Sequence, residues 1–439
     1  MRNGKPFYQY NPIVFYTLAV LVVGVIWYIL TPAGDLPNFN RPGTMYPLIL
    51  MIVAEISFAA SWFVTPRLRD LAIRKNWFDI PEARRVHKDP TPRIGGLGMF
   101  VGFFFAVLFG LLAGLVVPEL WVPGDIWRIC LLLVGAALVT VVMLVDDLRG
   151  LPPLPRLFAQ IVAAGIVIVP QLIAGTDDLA DNGHPIGILI HSIATWKFAE
   201  VFGSPLWLLV AVPFTFFWIV GMINTVNATD GIDGLAGGIV FIGAVILFLE
   251  TLIQNWTRPA ATSSGGTPQF QFTSSLLALA LAAAILGFLV FNWHPASIFM
   301  GDCGSNFLGF ALAVISIIDG AKVAVALLII GFPVLDLAFV YLNRIYHGRD
   351  PKQADRSHIH HRLIDMGWKQ QWIVALFYGI SIFFGVVGIL PFNFNSLTKF
   401  ISLGVLMLCL IPLLYYSVRY RKPQPPTTAL PPEEVSQHK

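Results

Sequence analysis

Two stretches of this chain carry carboxylates and no base. Residues 224–235 read Asn224-Thr-Val-Asn227-Ala-Thr-Asp230-Gly-Ile-Asp233-Gly-Leu, and residues 292–305 place Asp302 among glycines; neither holds a Lys or Arg. Acid without a local counter-charge points to a cation supplied from outside. A hard divalent ion such as Mg²⁺, held by one or two carboxylates and by the oxygens of a phosphate ligand, fits that composition. In the first stretch four amide or carboxylate side chains recur every third residue, a spacing that keeps successive groups within about 60° around a helix axis. Gly231 and Gly234 loosen the backbone behind the two aspartates. An Asn/Asp-rich cap between two helices is the plainer alternative, and the length of the series favours function.

Asp146-Asp147 ends the apolar run VVMLV. Two adjacent carboxylates repel each other, which raises the pKa of one unless a cation compensates, and a raised pKa suits a general base. The alternative, an incidentally acidic helix end, is weakened because carboxylates at a helix C-terminus are unfavourable. Gly301-Asp302-Cys-Gly304-Ser305 precedes the next apolar stretch, and the amides of residues 304–306, which begin that helix, are expected to favour an anion. His294, before a proline, reads as a turn or interface residue. His358-Ile-His360-His361-Arg362 lies in a basic segment with Arg344, Arg349, Lys352 and Arg356. These read as hydrogen-bond donors to a pyrophosphate or sugar rather than as a metal cage, with anionic lipid explaining part of the charge. Lys88, Thr91 and Arg93, with Gly95-Gly96, form a weaker candidate for holding phosphate oxygens. Asp336, following Pro333 inside an apolar stretch, is either functional or a partner for another helix.

The elements that position these groups follow from composition. Of 439 residues 56% are apolar or aromatic and 12% charged, about half the charge of a soluble domain, which excludes a soluble globular protein. At about 20 residues per span the apolar content fills roughly twelve helices. Spans are expected near 12–30, 45–64, 94–117, 127–145, 156–174, 206–223, 236–254, 274–291, 306–318, 323–343, 371–390 and 398–417. The short span at 306–318 has soft edges. Segment 12–30 has no small-residue cleavage site and reads as an anchor. Most of the 28 Lys and Arg fall on one side of this arrangement, which makes that side, both termini and every cluster above cytoplasmic. The expected division is an extra span and outer loop at 1–44, a membrane domain at 45–420 and a Pro-rich disordered tail at 421–439. Cys130, Cys303 and Cys409 are too scattered for a disulfide framework or zinc site. Carboxylates gathered at one face, with no related halves, argue against a secondary transporter.

Taken together, TPRIGG (91–96), Asp146-Asp147 followed by RLFAQ (156–160), NTVNATDGIDGL (224–235), GDCGSNFLG (301–309), PVLD (333–336) and HIHHRL (358–363) closely resemble the polyprenyl-phosphate N-acetylhexosamine-1-phosphate transferase family. The resemblance runs from about residue 45 to 420. It implies an all-α polytopic membrane protein of 11–12 helices with its active site at the cytoplasmic face of a bacterial inner membrane. It implies transfer of a sugar 1-phosphate from a UDP-N-acetylhexosamine to polyprenyl (undecaprenyl) phosphate, dependent on Mg²⁺ or on Mn²⁺ in its place. Nucleic acid is not an expected partner, and a homodimer is left open. By resemblance Asp302 is the metal-binding acid with Asn227 beside it, and Asp146 and Asp147 handle the lipid phosphate. Asp230 and Asp233 lie at the nucleotide side. Lys88, Thr91, Arg93, Arg156, Asn224, His358, His360, His361 and Arg362 contact substrate. Arg156 stands where the family more often has Lys. The HIHH form is similar to the GlcNAc-type enzymes, and phospho-N-acetylmuramoyl-pentapeptide transferase is the alternative.

Overall fold

The computed structural model describes residues 42–79, 90–117, 124–174, 208–257, 272–318, 322–346, 348, 358–389 and 405. The helices are α1 (Pro42–Lys75), α2 (Gly96–Val116), α3 (Asp125–Arg149), α4 (Pro153–Ala174), α5 (Leu208–Thr229), α6 (Leu235–Thr257), α7 (Phe272–Asn292), α8 (Gly301–Ile317), α9 (Val323–Tyr346), α10 (Ile359–Asp365) and α11 (Gln370–Ile389). Between α1 and α2 a two-stranded antiparallel ribbon, β1 (Phe78–Asp79) with β2 (Thr91–Pro92), adds the only strands among the described residues to the all-α expectation. The expected spans from 45–64 through 371–390 each fall on a helix. Those at 12–30 and, apart from Val405, 398–417 lie outside the described residues, as do the Pro-rich tail and Lys88.

Nine of the described helices are long and apolar enough to cross a membrane, so the chain is a multi-pass membrane protein. Several carry an internal proline, as α5 does at Pro213 and α9 at Pro333, which neighbouring helices make tolerable in lipid. The exception in length is α8, whose 17 residues extend about 26 Å at 1.5 Å each, short of a hydrocarbon core of about 30 Å. Shortness suits its place, because every residue from Cys303 to Ile317 is buried. With α7, also buried along nearly its whole length, it forms the centre of the bundle. Helices α1, α2 and α6 pack on α7, while α3 and α5 pack on α8. Central helices that touch protein on all sides are apolar all round and rich in small residues, and α7 (LALALAAAILG) reads that way.

Because successive long helices run antiparallel, the C-termini of α1, α3, α5 and α7 and the N-termini of α2, α4, α6 and α8 share one end. Backbone bonds close that end. Phe299 N donates to Pro92 O at 2.7 Å, and Gly95 and Gly96 donate to the carbonyls of Phe299 and Met300. There α2 and α8 touch backbone to backbone: a Cβ on Gly96 would overlap Gly304, and one on Gly304 would overlap Gly96.

Candidate active site

The site is built where α3 ends and α8 begins. Asp147 turns its carboxylate onto the first amides of α8, accepting from Asp302 N and Cys303 N at 2.9 Å each. The helix begins at Gly301, ahead of the expected 304–306, and the anion that meets its first amides is Asp147. The geometry depends on Gly301, whose φ of 70° is left-handed and whose missing side chain would strike the Arg93 carbonyl and the Asp147 carboxylate. Arg93 is engaged as well. Its Nη2 and Nε donate to the Asp147 carbonyl at 2.6 and 3.0 Å, satisfying the end of α3, and it reaches the Asp79 carboxylate of β1 at 3.5 Å. Thr91 is buried in the ribbon opposite Asp79. This segment thus works as a clasp between β2, α3 and α8.

Asp146, one residue earlier, faces the other way. Its Oδ1 accepts the Leu151 amide, and its Oδ2 lies 3.2 Å from Arg156 Nη1 on the first turn of α4. The same Nη1 is 3.7 Å from Asp302 Oδ2. Arg156 thus bridges the two carboxylates with a side chain 38% exposed, beside an Asp302 side chain 36% exposed. From α5, Asn227 donates to Asp302 Oδ1 at 2.8 Å and to Ser305 Oγ at 2.9 Å.

Below this pair runs a relay that the motif reading did not single out. Asn224 donates to Gln160 Oε1 at 2.9 Å, Gln160 donates to Asn306 Oδ1 at 2.8 Å, and Asn306 donates to the Asp302 carbonyl at 2.9 Å. Gln160 and Asn306 are buried, and in an apolar interior such groups must be satisfied. Here they satisfy each other and tie α4, α5 and α8 together. The signal was present: Gln160 is four residues after Arg156 and Asn306 four after Asp302, on the same helix faces.

The turn between α5 and α6 is pinned from three sides. Gly234 N donates to Asn292 Oδ1 at 3.1 Å, and Tyr378 OH of α11 donates to the Gly234 carbonyl at 2.6 Å. Asp233 pairs with His294 Nδ1 at 2.7 Å and accepts from Ala296 N at 3.1 Å, so it anchors the loop into α8, and His294 is an interface residue as expected. Asp230 differs: among the described residues no hydrogen bond or ion pair reaches its carboxylate. Burial, then the carboxylates of Asp302, Asp147 and Asp233, push its pKa well above the ordinary range.

The histidine segment docks on this turn. Asp336 of α9 accepts from the Ile359 amide at 2.9 Å and lies 2.8 Å from His358 Nδ1, which makes it a partner for the start of α10. The His360 ring packs against Gly231, where no side chain could fit. It lies parallel to His358, centroids 5.7 Å apart, and 4.3 Å from His361. Burial, then His361 and His358, lower the His360 pKa well below its usual value, which favours the neutral ring. Arg362 sits over the Phe339 ring, 5.6 Å from its centroid.

Oxygen donors on Asp302, Asn227 and Asp230 suit a hard cation. Among the described residues no three His, Cys, Asp or Glu side chains form a cage. An ion such as Mg²⁺ keeps several waters and takes other ligands from substrate phosphates, so it needs only one or two protein carboxylates. The carboxyl of Asp230, with no hydrogen bond or ion pair among the described residues and three carboxylates nearby, is the group such a charge would relieve.

The fold and site together define a multi-pass helical membrane protein with a cluster of acid, amide and guanidinium groups at one end of its bundle. The family model for glycosyl transferase family 4 matches residues 129–320. A probable undecaprenyl-phosphate N-acetylglucosaminyl 1-phosphate transferase of Bacillus subtilis is 30% identical, the alignment covering 83% of this chain and 90% of that protein. A decaprenyl-phosphate N-acetylglucosaminephosphotransferase of Mycobacterium tuberculosis is 29% identical over 89% of this chain and 96% of its own. A phospho-N-acetylmuramoyl-pentapeptide-transferase of Synechococcus is 29% identical over 79% of this chain and 89% of its own. The chain belongs to glycosyl transferase family 4.

Proposed function

We propose that this protein transfers N-acetylhexosamine 1-phosphate, specifically GlcNAc 1-phosphate, from the UDP-sugar to polyprenyl phosphate, releasing UMP and starting a cell-envelope polysaccharide. The observation that carries the reading is the partly exposed Asp302 carboxylate, bonded to Asn227 and bridged through Arg156 to Asp146, at the point where the signature segments meet. The GlcNAc assignment is supported by the two relatives named for that sugar, which align over 83% and 89% of this chain.

In the reaction an oxygen of the lipid phosphate attacks the β-phosphorus of the UDP-sugar. The new P–O bond forms as the bond to the bridging oxygen breaks, and UMP leaves with the electron pair. Asp302, Asn227 and Asp230 would hold Mg²⁺, or Mn²⁺ in its place. Such an ion, when bound, supplies charge that offsets the pyrophosphate and the departing UMP. Arg156 stands among the exposed apolar side chains Leu154, Leu157 and Phe158, so its guanidinium can meet a phosphate whose prenyl chain remains in the bilayer, while Asp146 holds it in orientation. A lipid phosphate is already ionised and needs no base. Asp147, its oxygens occupied by amides, has none to offer, and direct attack is the simpler course. His358, His361 and Arg362 would meet the sugar nucleotide, while His360 and Asp233 hold the loop it rests on. The excess of Lys and Arg on this side supports a reading in which this face and both termini lie in the cytoplasm, and the bacterial relatives support an inner-membrane location.

Purified protein in nanodiscs given UDP-GlcNAc, polyprenyl phosphate and Mg²⁺ should release UMP, and Asp302→Asn should abolish release. No release with any UDP-N-acetylhexosamine would overturn the reading. Release only with the muramyl-pentapeptide nucleotide would move the chain to the pentapeptide transferases, whose relative aligns over 79% of it. Labelling of a cysteine at position 352 from outside intact cells would overturn the cytoplasmic placement.

A further inference from the structure

Among the described carboxylates of the site region Asp336 alone lies well inside an apolar helix, and two donors of the histidine segment converge on it. Its Oδ1 accepts the Ile359 amide at 2.9 Å, and its Oδ2 lies 2.8 Å from His358 Nδ1. Both side chains are largely buried, 7% and 14% exposed. A carboxylate facing Nδ1 admits only a protonated Nδ1 there, since an unprotonated nitrogen would set lone pair against lone pair. The second bond, to the amide that starts α10, fixes the backbone carrying the ring. His358 is thus held at two points by one side chain, and its remaining nitrogen, Nε2, is the only polar atom of the ring left for a ligand. The ring lies parallel to His360, which packs on Gly231 beside Asp230. Nε2 is therefore carried by a stack that ends at the nucleotide-side turn.

We propose that Asp336 is a positioning residue, which locks His358 in the Nδ1–H form so that Nε2 meets an N–H or O–H of the UDP-sugar. This rests on the transferase reading above. Asp336 itself touches no substrate.

The test exploits an asymmetry. In Asp336→Asn the side-chain oxygen still accepts the Ile359 amide, but the new NH₂ faces His358 Nδ1 and forces the proton to Nε2. The backbone anchor survives while the ring is inverted. The expected result is a rise of roughly ten- to a hundredfold in KM for the UDP-sugar, the scale of loss seen when a carboxylate partner of a ligating histidine is removed, with KM for polyprenyl phosphate unchanged. Asp336→Glu, which keeps the carboxylate, should recover part of the loss. In a His358→Ala background Asp336→Asn should cost little more, because the group it orients is gone. Equal losses in both backgrounds, or a loss confined to kcat, would overturn the proposal and leave Asp336 a simple helix anchor. Imidazole ¹⁵N spectra, read without turnover, should show His358 protonated at Nδ1 in the wild type and at Nε2 in Asp336→Asn; the same tautomer in both would also overturn it. Should the wild type release no UMP, the transferase reading fails, and the ¹⁵N spectra still decide the role of Asp336.

Discussion

Asp147→Asn separates a residue that holds the site from one that reacts in it. In the native protein both carboxylate oxygens accept amides at the start of α8, each at 2.9 Å, with the Arg93 Nε 3.6 Å from one of them. Asparagine keeps one acceptor and turns an NH₂ toward the second amide, leaving two donors face to face in a buried place. One charge-assisted bond becomes neutral and the other is lost, a change of about 2–3 kcal/mol at the first turn of α8. At 1.4 kcal/mol per tenfold, that is roughly a thirty- to hundredfold faster opening of those amides. Hydrogen–deuterium exchange of the nanodisc protein, followed on a peptide spanning Asp302 and Cys303, should show it, with UMP release falling in parallel because the first turn carries Asp302. If release is lost while exchange stays at the wild-type rate, Asp147 acts on the substrate directly and the capping role is wrong.

Other substitutions probe other joints. Gly96→Ala and Gly304→Ala each drive a methyl into the facing backbone; overpacking of this kind costs typically 1–3 kcal/mol or more, and a lowered thermal midpoint in detergent should report it. Arg156→Ala removes the one nitrogen, Nη1, that pairs with both Asp146 and Asp302, so KM for polyprenyl phosphate should rise several-fold while that for the UDP-sugar holds. His360 has a folded-state pKa below its ordinary 6.5. Its neutral form therefore favours the folded state above about pH 6.5, and stability is lost as the pH falls below that value. The thermal midpoint should drop between about pH 7 and about pH 5, and drop less in His360→Asn.

Much of this was legible in the sequence. Apolar runs of membrane length located the helices, and the motifs proved to lie at one end because antiparallel spans bring alternate loops together. What the sequence hid was which carboxylates are already spoken for. Asp146 and Asp147 are adjacent and alike in composition, yet one faces Arg156 and the other caps a helix by accepting the Asp302 amide, 155 residues later. Asp233 and Asp336 are likewise taken up by His294 and by the start of α10. Hydrogen bonds between distant segments decide these roles, and residue type and spacing do not encode them. Gln160 and Asn306 are hidden for the opposite reason: they carry no charge and sit inside apolar helices, so residue type does not mark them, though burial makes them structural joints.

The position of Arg156 bears on how the two substrates find the site. It stands on the first turn of α4 between Leu154, exposed at 71%, and Phe158, at 69%, on an outward-facing apolar surface. For the proposed reaction, one reactant arrives by diffusion in a plane and the other from three dimensions. Encounter with the lipid is then governed by its mole fraction in the bilayer, not by its bulk concentration. Adding inert phospholipid at constant protein and constant polyprenyl phosphate should slow the reaction by surface dilution, while leaving the dependence on UDP-sugar unchanged.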